Sequence, residues 1–367
     1  MKFMERAVML AKTAEGFTNP NPLVGAVIVK NGAIIGEGCH ERYGDLHAER
    51  KALESCTESP EGADIYVTLE PCCHSGKQPP CTDALIRSGI KRVFVGSPDP
   101  NPLVAGKGIE ILRNAGIEVI ENVERELCDG INKIFFKYIT TQQPYVIMKT
   151  AVTADGKTAS YTGDSKWITN EKSRENVHRT RRRVSAVMTG IGTVLHDDPM
   201  LNCRIENPKN PARIICDSTL RIPLDCQIVK TAREIKTIVA TLSNDLTKTR
   251  ELEALGVHVV KVRENKHRID ISSLMSILGK MSIDSVLIEA GAELNASAVE
   301  AGVVDCVQIY VAPKLLGGQD ARSSISGKGI AKLSDAVRLG KPQISVFDGD
   351  VLLEYDVIKD GVQCLPE

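Results

Sequence analysis

The sequence predicts an α/β protein of two domains, and three observations support this fold class. The chain has 367 residues, more than one hydrophobic core usually supports. Strand-like and helix-like segments alternate along it. The alternation restarts after the polar stretch QQP, which ends at Pro144. We therefore expect domains at residues 1–143 and 144–367.

The first half is expected to alternate strands and helices from its first hairpin onwards. In VGAVIVKNGAIIGEG, Asn31-Gly32 separates two apolar runs, which is typical of a hairpin turn. Helices are predicted from His47 to Cys56 and from Thr82 to Ser88, and strands at DIYVTL and RVFVG. The segment VERELCDGINKIFFKYITT has apolar residues at helical spacing, so it predicts a helix that ends before QQP.

The second half repeats the alternation with different motifs. Strands are predicted at PYVIMKTAV, RIICD, KTIVATL, VHVVKV, SVLIEA and VQIYVAP, with helical patterns between several of them. The two halves share no internal repeat. A second α/β domain is therefore expected.

The composition favours an enzyme with a small-molecule substrate. The formal net charge is -1 and no long basic block is present, which argues against binding to nucleic acid or to an anionic membrane. No apolar run approaches the ~20 residues needed to cross a bilayer, and charged residues interrupt the N-terminal apolar pattern, unlike a signal-peptide core. The eleven cysteines are scattered, which favours reduced thiols and a cytoplasmic location.

Three short motifs in the first half predict a catalytic zinc site. His47 is expected to open one helix, Cys72 follows a strand within EPC, and Cys81 opens another helix. One imidazole and two thiolates suit zinc and leave a fourth position open for water. Glu49, two residues beyond the histidine, is predicted to move protons between water and substrate. The pattern is typical of deaminases that act on nitrogen heterocycles.

The loop between the two cysteines leaves some roles open. Cys73 or His74 could replace a proposed ligand, but Cys72 directly follows Pro71, as the motif requires, and Cys73 is interpreted as structural. His74 and Lys77 are interpreted as contacts to a polar or phosphorylated substrate, or else as residues of a solvated loop.

In the second half, SVLIEAGAELNASAVEAG predicts a buried strand, a turn and a helix. Backbone N–H groups near Gly291 could bind a pyrophosphate at the start of that helix. The pattern is also common in simple connections, and the G-x-G-x-x-G motif is absent from the sequence. An ordinary Rossmann domain is therefore not predicted.

Taken in order, the motifs resemble those of the bifunctional riboflavin-biosynthesis deaminase/reductase family over nearly the whole chain. They include TNPNPLVGAVIV, HAE, VTLEPCCHSGKQPPC, DPNPLVAGKG, MKTAVTADGKTA, GDSKWIT, GTVLHDDPMLNCR, IEAGAELNAS and YVAPKLLGG. The resemblance implies a cytidine-deaminase-like three-layer α/β/α domain followed by a dihydrofolate-reductase-like α/β domain. It implies one Zn²⁺ per chain at His47, Cys72 and Cys81, with Glu49 transferring protons.

The same resemblance implies two reactions on a phosphorylated pyrimidine, namely loss of a ring amino group and NADPH-dependent reduction of the ribosyl group. Substrate contacts are implied in the deaminase at Asn21, His74, Lys77 and Asn101, and in the reductase at Ser165, Arg181, Leu201, Arg204 and Glu289. Cofactor contacts are implied at Ala151, Trp167, Thr193, Asp197, Ser218, Gly291, Ala292, Glu293, Leu294, Asn295, Ala296 and Ser297. The group that acts as an acid in the reductase could be Lys149 or Asp197, and the sequence does not choose between them.

Two other functions fit the zinc motifs. The chain could be a deaminase of nucleic-acid bases with a C-terminal binding module, or its second domain could be a silent dimerisation platform. A module that grips phosphates should be basic, whereas GIEVIENVEREL and much of the tail are acidic or mixed. The two-step enzyme is therefore preferred, and a homo-oligomer is expected.

Overall fold

The computed structural model describes residues 2–74, 79–101 and 104–359. The chain divides into two compact units, Met1–Gln142 and Gln143–Glu367, one residue before the predicted boundary. Within the described residues, none of the helices has the length and apolar character needed to cross a membrane.

The first unit is a five-stranded sheet with helices on both faces. The sheet order is β2-β1-β3-β4-β5, with β1 antiparallel to β2 and β3, and with β3, β4 and β5 parallel. One face packs on α2, α3 and α4, and the other packs on α1 and α5. The predicted three-layer α/β/α architecture is confirmed. The elements are α1 Phe3–Thr13, β1 Gly25–Lys30, β2 Ala33–Cys39, α2 Ala48–Glu54, β3 Asp64–Leu69, α3 Cys81–Arg87, β4 Arg92–Ser97, α4 Lys107–Asn114, β5 Glu118–Ile120, α5 Arg125–Ile131 and α6 Lys133–Thr141.

The second unit is built on a nine-stranded sheet of order β10-β9-β8-β7-β13-β6-β14-β16-β15. In this spatial order, the first seven strands, which end with β14, are parallel to one another. At the far edge, β16 pairs antiparallel with β14, and β15 pairs antiparallel with β16. The predicted α/β class is confirmed here as well. The elements are β6 Tyr145–Thr153, α7 Glu171–Arg183, β7 Ala186–Gly190, α8 Ile191–Asp197, β8 Ala212–Cys216, α9 Gln227–Lys230, β9 Thr237–Thr241, α10 Leu246–Ala254, β10 Val257–Lys261, β11 Glu264–Asn265, β12 Arg268–Ile269, α11 Ile271–Lys280, β13 Ser285–Ile288, α12 Ala292–Glu300, β14 Cys306–Ala312, β15 Gln343–Phe347 and β16 Asp350–Asp356.

The first hairpin forms where the sequence predicts it. Asn31 and Gly32 have φ angles of 52° and 79°, in the left-handed region that asparagine and glycine tolerate. The turn therefore joins β1 to β2 without backbone strain.

The helix predicted across VERELCDGINKIFFKYITT is wrong in one respect, because the structure has two helices there. The chain leaves helical geometry at Asn132, between α5 and α6. The buried Asn132 side chain accepts a hydrogen bond from Leu23 N (2.8 Å) and donates one to Leu23 O (2.9 Å). This long-range pair of hydrogen bonds accounts for the break.

Three strands of the large sheet were not predicted. β7 has only five residues, AVMTG, and follows a long polar helix directly. β15 and β16 form a hairpin around Asp348 and Gly349, which have φ angles of 51° and 95°. Their sequences, QISVF and DVLLEYD, are short runs rich in aliphatic and aromatic residues, a strand signal that could have revealed them.

Replacing Asn132 with alanine should destabilise the first unit. Two hydrogen bonds are lost and buried backbone groups of Leu23 lose their partner, so we expect a cost of about 3 kcal/mol. Urea unfolding followed by circular dichroism would measure it. The transition reported by Trp167, which lies in the second unit, should not move, and Asn114→Ala on the exposed face of α4 should change neither transition.

Candidate functional site

The three predicted zinc ligands converge at one end of the first sheet. His47 precedes α2, Cys81 opens α3, and Cys72 follows β3. His47 Nδ1 lies 3.4 Å from Cys72 Sγ and 3.3 Å from Cys81 Sγ. In the part of the chain that the structure describes, these residues form the one group of three or more metal-ligating side chains close enough to share an ion. One imidazole and two thiolates are donors that suit zinc.

Backbone hydrogen bonds hold the two thiols together. Cys81 N and Thr82 N both donate to Cys72 O, at 3.1 and 3.2 Å. The start of α3 is therefore held against Cys72, in the loop after β3. Cys81 N also points to Cys72 Sγ at 3.4 Å. Hydrogen bonding from Cys81 and from His47 lowers the pKa of Cys72 to about 4, which favours the thiolate that a metal requires.

A buried glutamate fixes the backbone beside these ligands. Glu70 accepts hydrogen bonds from Gly106 N and Gly108 N, each 3.0 Å, and from two further backbone N–H groups. A side chain at Gly108 would lie 2.2 Å from Pro71 O, so glycine is required for this approach. Glu70 therefore ties the end of β3 to the start of α4, a role that the sequence analysis missed.

Glu49 lies beside the three ligands and lines the same cavity. It is the second residue of α2 and only 3% exposed. Burial raises the pKa of Glu49 to about 7. A carboxyl group with this pKa can both accept and return a proton near neutral pH.

The cavity beside the ligands has a volume of about 330 Å³ and a mixed apolar and polar wall. Of the substrate contacts predicted for the deaminase, Asn21, His74 and Asn101 line it. Lys77 lies outside the described residues. The volume suits one heterocycle rather than a large ligand.

Two further polar residues of this cavity were missed. His40 is buried, with Nε2 3.2 Å from Asn21 Nδ2 and Nδ1 3.2 Å from Leu46 O. Its Nδ1–H can donate to that carbonyl while Nε2 accepts from the Asn21 amide, and burial lowers the pKa of His40. Asp99 also lines the cavity, and burial raises its pKa to about 6. Asp99 belongs to the motif DPNP, which could have revealed it.

The second unit contains a larger cavity, about 1360 Å³, along the carboxyl ends of its parallel strands. This is the edge where ligands bind in open α/β sheets. Most of the predicted cofactor contacts line it, together with the predicted substrate contacts Ser165 and Glu289: Ala151, Thr193, Asp197, Ser218, Gly291, Ala292, Glu293, Leu294, Asn295 and Ser297.

Two predicted cofactor residues do not line this cavity. Ala296 is buried in α12. Trp167 is 63% exposed, and its ring lies under the Arg174 guanidinium at 4.6 Å. Its backbone carbonyl accepts a hydrogen bond from Lys314 Nζ at 2.6 Å. Trp167 is therefore fixed on the surface of the second unit.

A largely buried ion pair lies at the edge of the large cavity. Arg181 Nε and Glu289 Oε1 are 2.5 Å apart, a second contact joins Arg181 Nη2 to Glu289 Oε2 at 3.1 Å, and both side chains are 12% exposed. Burial alone would raise the pKa of Glu289, but the charges of Arg181 and Lys149 lower it to about 2. The guanidinium group of Arg181 is thus already paired with Glu289. Three predicted substrate contacts do not line the cavity: Arg181, Leu201 and Arg204.

The segment that carries Arg204 is fastened to α7. Arg204 N donates to His178 Nδ1 at 3.3 Å, and Arg181 Nη1 donates to Asn202 O at 2.9 Å. The Arg204 side chain is exposed and donates to Asn202 Oδ1 at 2.9 Å. Burial and the nearby charges of Arg181 and Arg204 lower the pKa of His178 to about 4, so its ring stays a neutral acceptor. Sequence reasoning missed His178.

Comparison with known proteins assigns the family. The model of the RibD C-terminal domain matches residues 144–353, and that of the cytidine and deoxycytidylate deaminase zinc-binding region matches residues 1–97. The riboflavin biosynthesis protein RibD of Actinobacillus pleuropneumoniae is 54% identical over 358 residues, covering 98% of this chain and 95% of that protein. The chain belongs to the RibD family. The Escherichia coli relative is 40% identical and covers 96% of this chain and 97% of its own length.

Solved RibD structures agree with both units. Form 1 of Acinetobacter baumannii RibD has a TM-score of 0.87 at 40% identity and covers 97% of this chain and 98% of its own. A Thermotoga maritima diaminohydroxyphosphoribosylaminopyrimidine deaminase/5-amino-6-(5-phosphoribosylamino)uracil reductase has a TM-score of 0.86 at 38% identity, with the same coverage. The chain is a bifunctional enzyme of riboflavin biosynthesis, with a zinc-binding deaminase region and a reductase domain.

Glu289→Gln should destabilise the second unit in a pH-dependent way. The change leaves buried Arg181 without its counter-charge, which should cost about 3 kcal/mol at pH 7. Because folding lowers the pKa of Glu289 from 4.5 to about 2, its contribution is complete above pH 4.5 and disappears as the pH falls towards 2. The difference between wild type and variant should therefore shrink below pH 4.5.

Urea unfolding followed by Trp167 fluorescence would measure this difference across the pH range. Glu251→Gln, on the exposed face of α10, is the matched control and should stay within about 0.5 kcal/mol of wild type. A pH-independent difference would contradict the assignment of the pair.

Proposed function

We propose that the first unit deaminates 2,5-diamino-6-ribosylamino-4(3H)-pyrimidinone 5′-phosphate and that the second unit then reduces the ribosyl group with NADPH. The product is 5-amino-6-ribitylaminouracil 5′-phosphate. The observation that carries the proposal is the convergence of His47, Cys72 and Cys81 beside buried Glu49. The similarity to the Thermotoga maritima diaminohydroxyphosphoribosylaminopyrimidine deaminase/5-amino-6-(5-phosphoribosylamino)uracil reductase supports the choice of substrate. The deaminase is assigned to residues 1–143 and the reductase to residues 144–367.

In the deaminase, the zinc ligands and Glu49 have different roles. Zinc, when bound by His47, Cys72 and Cys81, supplies Lewis-acid activation of water. Glu49 accepts a proton from the attacking water and returns it to the leaving amine, for which a pKa of about 7 is suited. Asn21, with its amide held by His40, orients the heterocycle in the cavity. The bond from the ring carbon to the exocyclic nitrogen breaks, and ammonia leaves.

The large cavity of the second unit fits a dinucleotide. Its volume of about 1360 Å³ exceeds what the pyrimidine needs, and Gly291 presents the start of the nine-residue α12 to it. The backbone N–H groups at that start would hold the pyrophosphate. Asn295 Oδ1 is buried without a hydrogen-bond partner among the described residues, so it can accept from a hydroxyl group of the dinucleotide, though not from its pyrophosphate. NADPH, when bound, supplies the hydride for the ribosyl carbon.

For the proton in the reductase, the observations favour Lys149 over Asp197. Lys149 lines the cavity 3.9 Å from Glu289, and burial lowers its pKa, which makes proton release easier. Asp197 also lines the cavity, but its carboxylate is exposed and pairs with Lys166 at 3.3 Å. We assign Lys149 as the proton donor to the sugar oxygen and Glu289 as the charge that holds it.

We propose a cytoplasmic location and a homo-oligomeric assembly for this chain. All cysteines in the described ranges are free thiols, which supports a reducing compartment. NADPH as the reductant is consistent with the same compartment.

Glu49→Gln should abolish deamination and leave zinc bound. The amide cannot exchange protons, whereas His47, Cys72 and Cys81 are unchanged. Ammonia release and zinc content of the purified full chain measure the two effects, and Glu54→Gln on the exposed side of α2 is the control. With deaminated substrate and NADPH supplied, reduction should proceed at the wild-type rate. Loss of both activities together would contradict two separate sites.

Arg204→Ala should weaken binding of the phosphorylated substrate to the reductase. Arg204 does not line the large cavity, but it is exposed and forms no ion pair with the described residues, so its charge is available to the phosphate of a substrate that extends beyond the cavity wall. Losing a charge-assisted hydrogen bond should cost roughly 1.5–3 kcal/mol, tenfold or more in KM. Steady-state reduction with varied substrate and then varied NADPH measures it, with Arg250→Ala as the control. An effect confined to NADPH would overturn the assignment.

A further inference from the structure

Two cations bind three consecutive backbone carbonyl groups in the second unit. Lys314 Nζ donates to Trp167 O at 2.6 Å and to Ile168 O at 2.8 Å. Arg174 Nη1 donates to Thr169 O at 2.7 Å, and its guanidinium lies 4.6 Å from the centre of the Trp167 ring. Hydrogen bonds from charged donors are stronger than those between neutral groups. The segment from Trp167 to Thr169 is therefore held by two separate side chains.

Arg174 belongs to a helix whose first turn is tied to the sheet. Asn170 precedes α7, and its side chain caps the helix by accepting from Ser173 N at 3.0 Å. The buried carboxylate of Asp350, the first residue of β16, accepts from Asn170 N and from Ser173 Oγ, each at 2.7 Å. Because the start of α7 is fastened at several atoms, Arg174 extends from a fixed support.

Lys314 lies on a turn after β14 that is fastened to the end of β6. Ala154, which follows β6, donates its N–H to Lys314 O at 2.8 Å. The Asp155 carboxylate accepts from Gly317 N at 2.7 Å and from Leu316 N at 3.2 Å. The chains that leave these two neighbouring strands are thus bonded to each other, so the backbone that carries Lys314 also has a fixed position.

The loop before the held segment reaches the large cavity with Ser165. Among the described residues, the backbone N–H groups of residues 160–166 donate only within this loop, as from Ser160 to Asp164 O at 2.9 Å and from Lys166 to Asp164 Oδ1 at 3.3 Å. The Lys166 side chain pairs with Asp197 at 3.3 Å, but both groups are exposed, and an exposed pair contributes little. The position of Ser165 therefore depends on the anchored segment that follows it.

Lys314 and Arg174 act on this loop rather than on a ligand in the cavity. Neither side chain lines the cavity, whereas Ile168, whose carbonyl Lys314 binds, does. Ser165 precedes Ile168 by three residues and is one of the predicted substrate contacts. A segment without its carbonyl bonds samples other conformations. A substrate must then select the conformation that presents Ser165, which lowers its apparent affinity.

We propose that Lys314 and Arg174 are positioning residues of the second unit, which hold the segment from Trp167 to Thr169 so that Ser165 stays in place for the phosphorylated substrate. The inference rests on the proposed reduction. The two cations order the loop before substrate arrives, so they affect substrate binding more than hydride transfer. Because Trp167 does not line the cavity, affinity for NADPH depends on them only weakly.

The fluorescence of Trp167, the only tryptophan in the sequence, reports on the held segment without substrate or cofactor. Lys314→Met keeps the length of the side chain but removes both hydrogen bonds. It should lower the steady-state anisotropy of Trp167 and raise its acrylamide quenching constant roughly 1.5-fold. Lys314→Arg keeps the charge and the donors and should restore most of both values. Lys280→Met, at the exposed end of α11, is the control and should change neither.

Steady-state reduction of deaminated substrate by the full chain measures the effect on binding. Lys314→Met and Arg174→Met should each raise the KM for this substrate about tenfold, because charge-assisted hydrogen bonds are lost. The kcat and the KM for NADPH should stay within about twofold of wild type, which also shows that the variants are folded. Lys314→Arg should return the KM for substrate towards the wild-type value.

The outcomes separate this role from direct contact and from general damage. A raised substrate KM with unchanged Trp167 fluorescence would mean that the cations bind substrate themselves, and it would overturn the inference. Changed fluorescence with an unchanged substrate KM would overturn it too, as would parallel changes in kcat and in both KM values. Wild type that oxidises no NADPH would instead overturn the proposed reduction, and the fluorescence difference between wild type and Lys314→Met would not depend on that result.

Discussion

The surroundings of one buried carboxylate in each unit determine what that unit can do. Burial dominates at Glu49 and raises its pKa to about 7, so this group can exchange a proton under ordinary conditions. At Glu289 the charges of Arg181 and Lys149 outweigh burial and lower the pKa to about 2, so this group is a permanent negative charge. One carboxylate is suited to moving protons and the other to holding a lysine beside the substrate.

Both environments are built at the carboxyl ends of parallel strands, where the chain turns into a loop or a helix. In the first unit, the Glu70 carboxylate accepts hydrogen bonds from four backbone N–H groups just after β3. These bonds fix the segment that carries Cys72, two residues further on. In the second unit, the turns after β7, β8 and β13 open towards one long cavity. The small first cavity and the large second one thus follow from the same construction, and their volumes suit a heterocycle and a dinucleotide respectively.

The sequence predicted features that depend on short spacing and missed those that depend on distant partners. His47, Cys72 and Cys81 belong to local motifs at the starts of helices and the end of a strand, and the structure brings them together. The break at Asn132 depends on Leu23, 109 residues earlier in the chain, so no local pattern reveals it. The same holds for Arg181, which the family resemblance implies as a substrate contact: its ion-pair partner Glu289 lies 108 residues away, so no local pattern reveals the pair.

The order and separation of the two reactions are tested most directly by their stoichiometry. The full chain would be given the diaminopyrimidine substrate with and without NADPH, and ammonia release and NADPH oxidation would be followed in the same sample. Ammonia release should be complete without NADPH, and when NADPH is present one NADPH should be oxidised for each ammonia released, after a lag. NADPH oxidation that begins without ammonia release, or ammonia release that requires NADPH, would contradict this order.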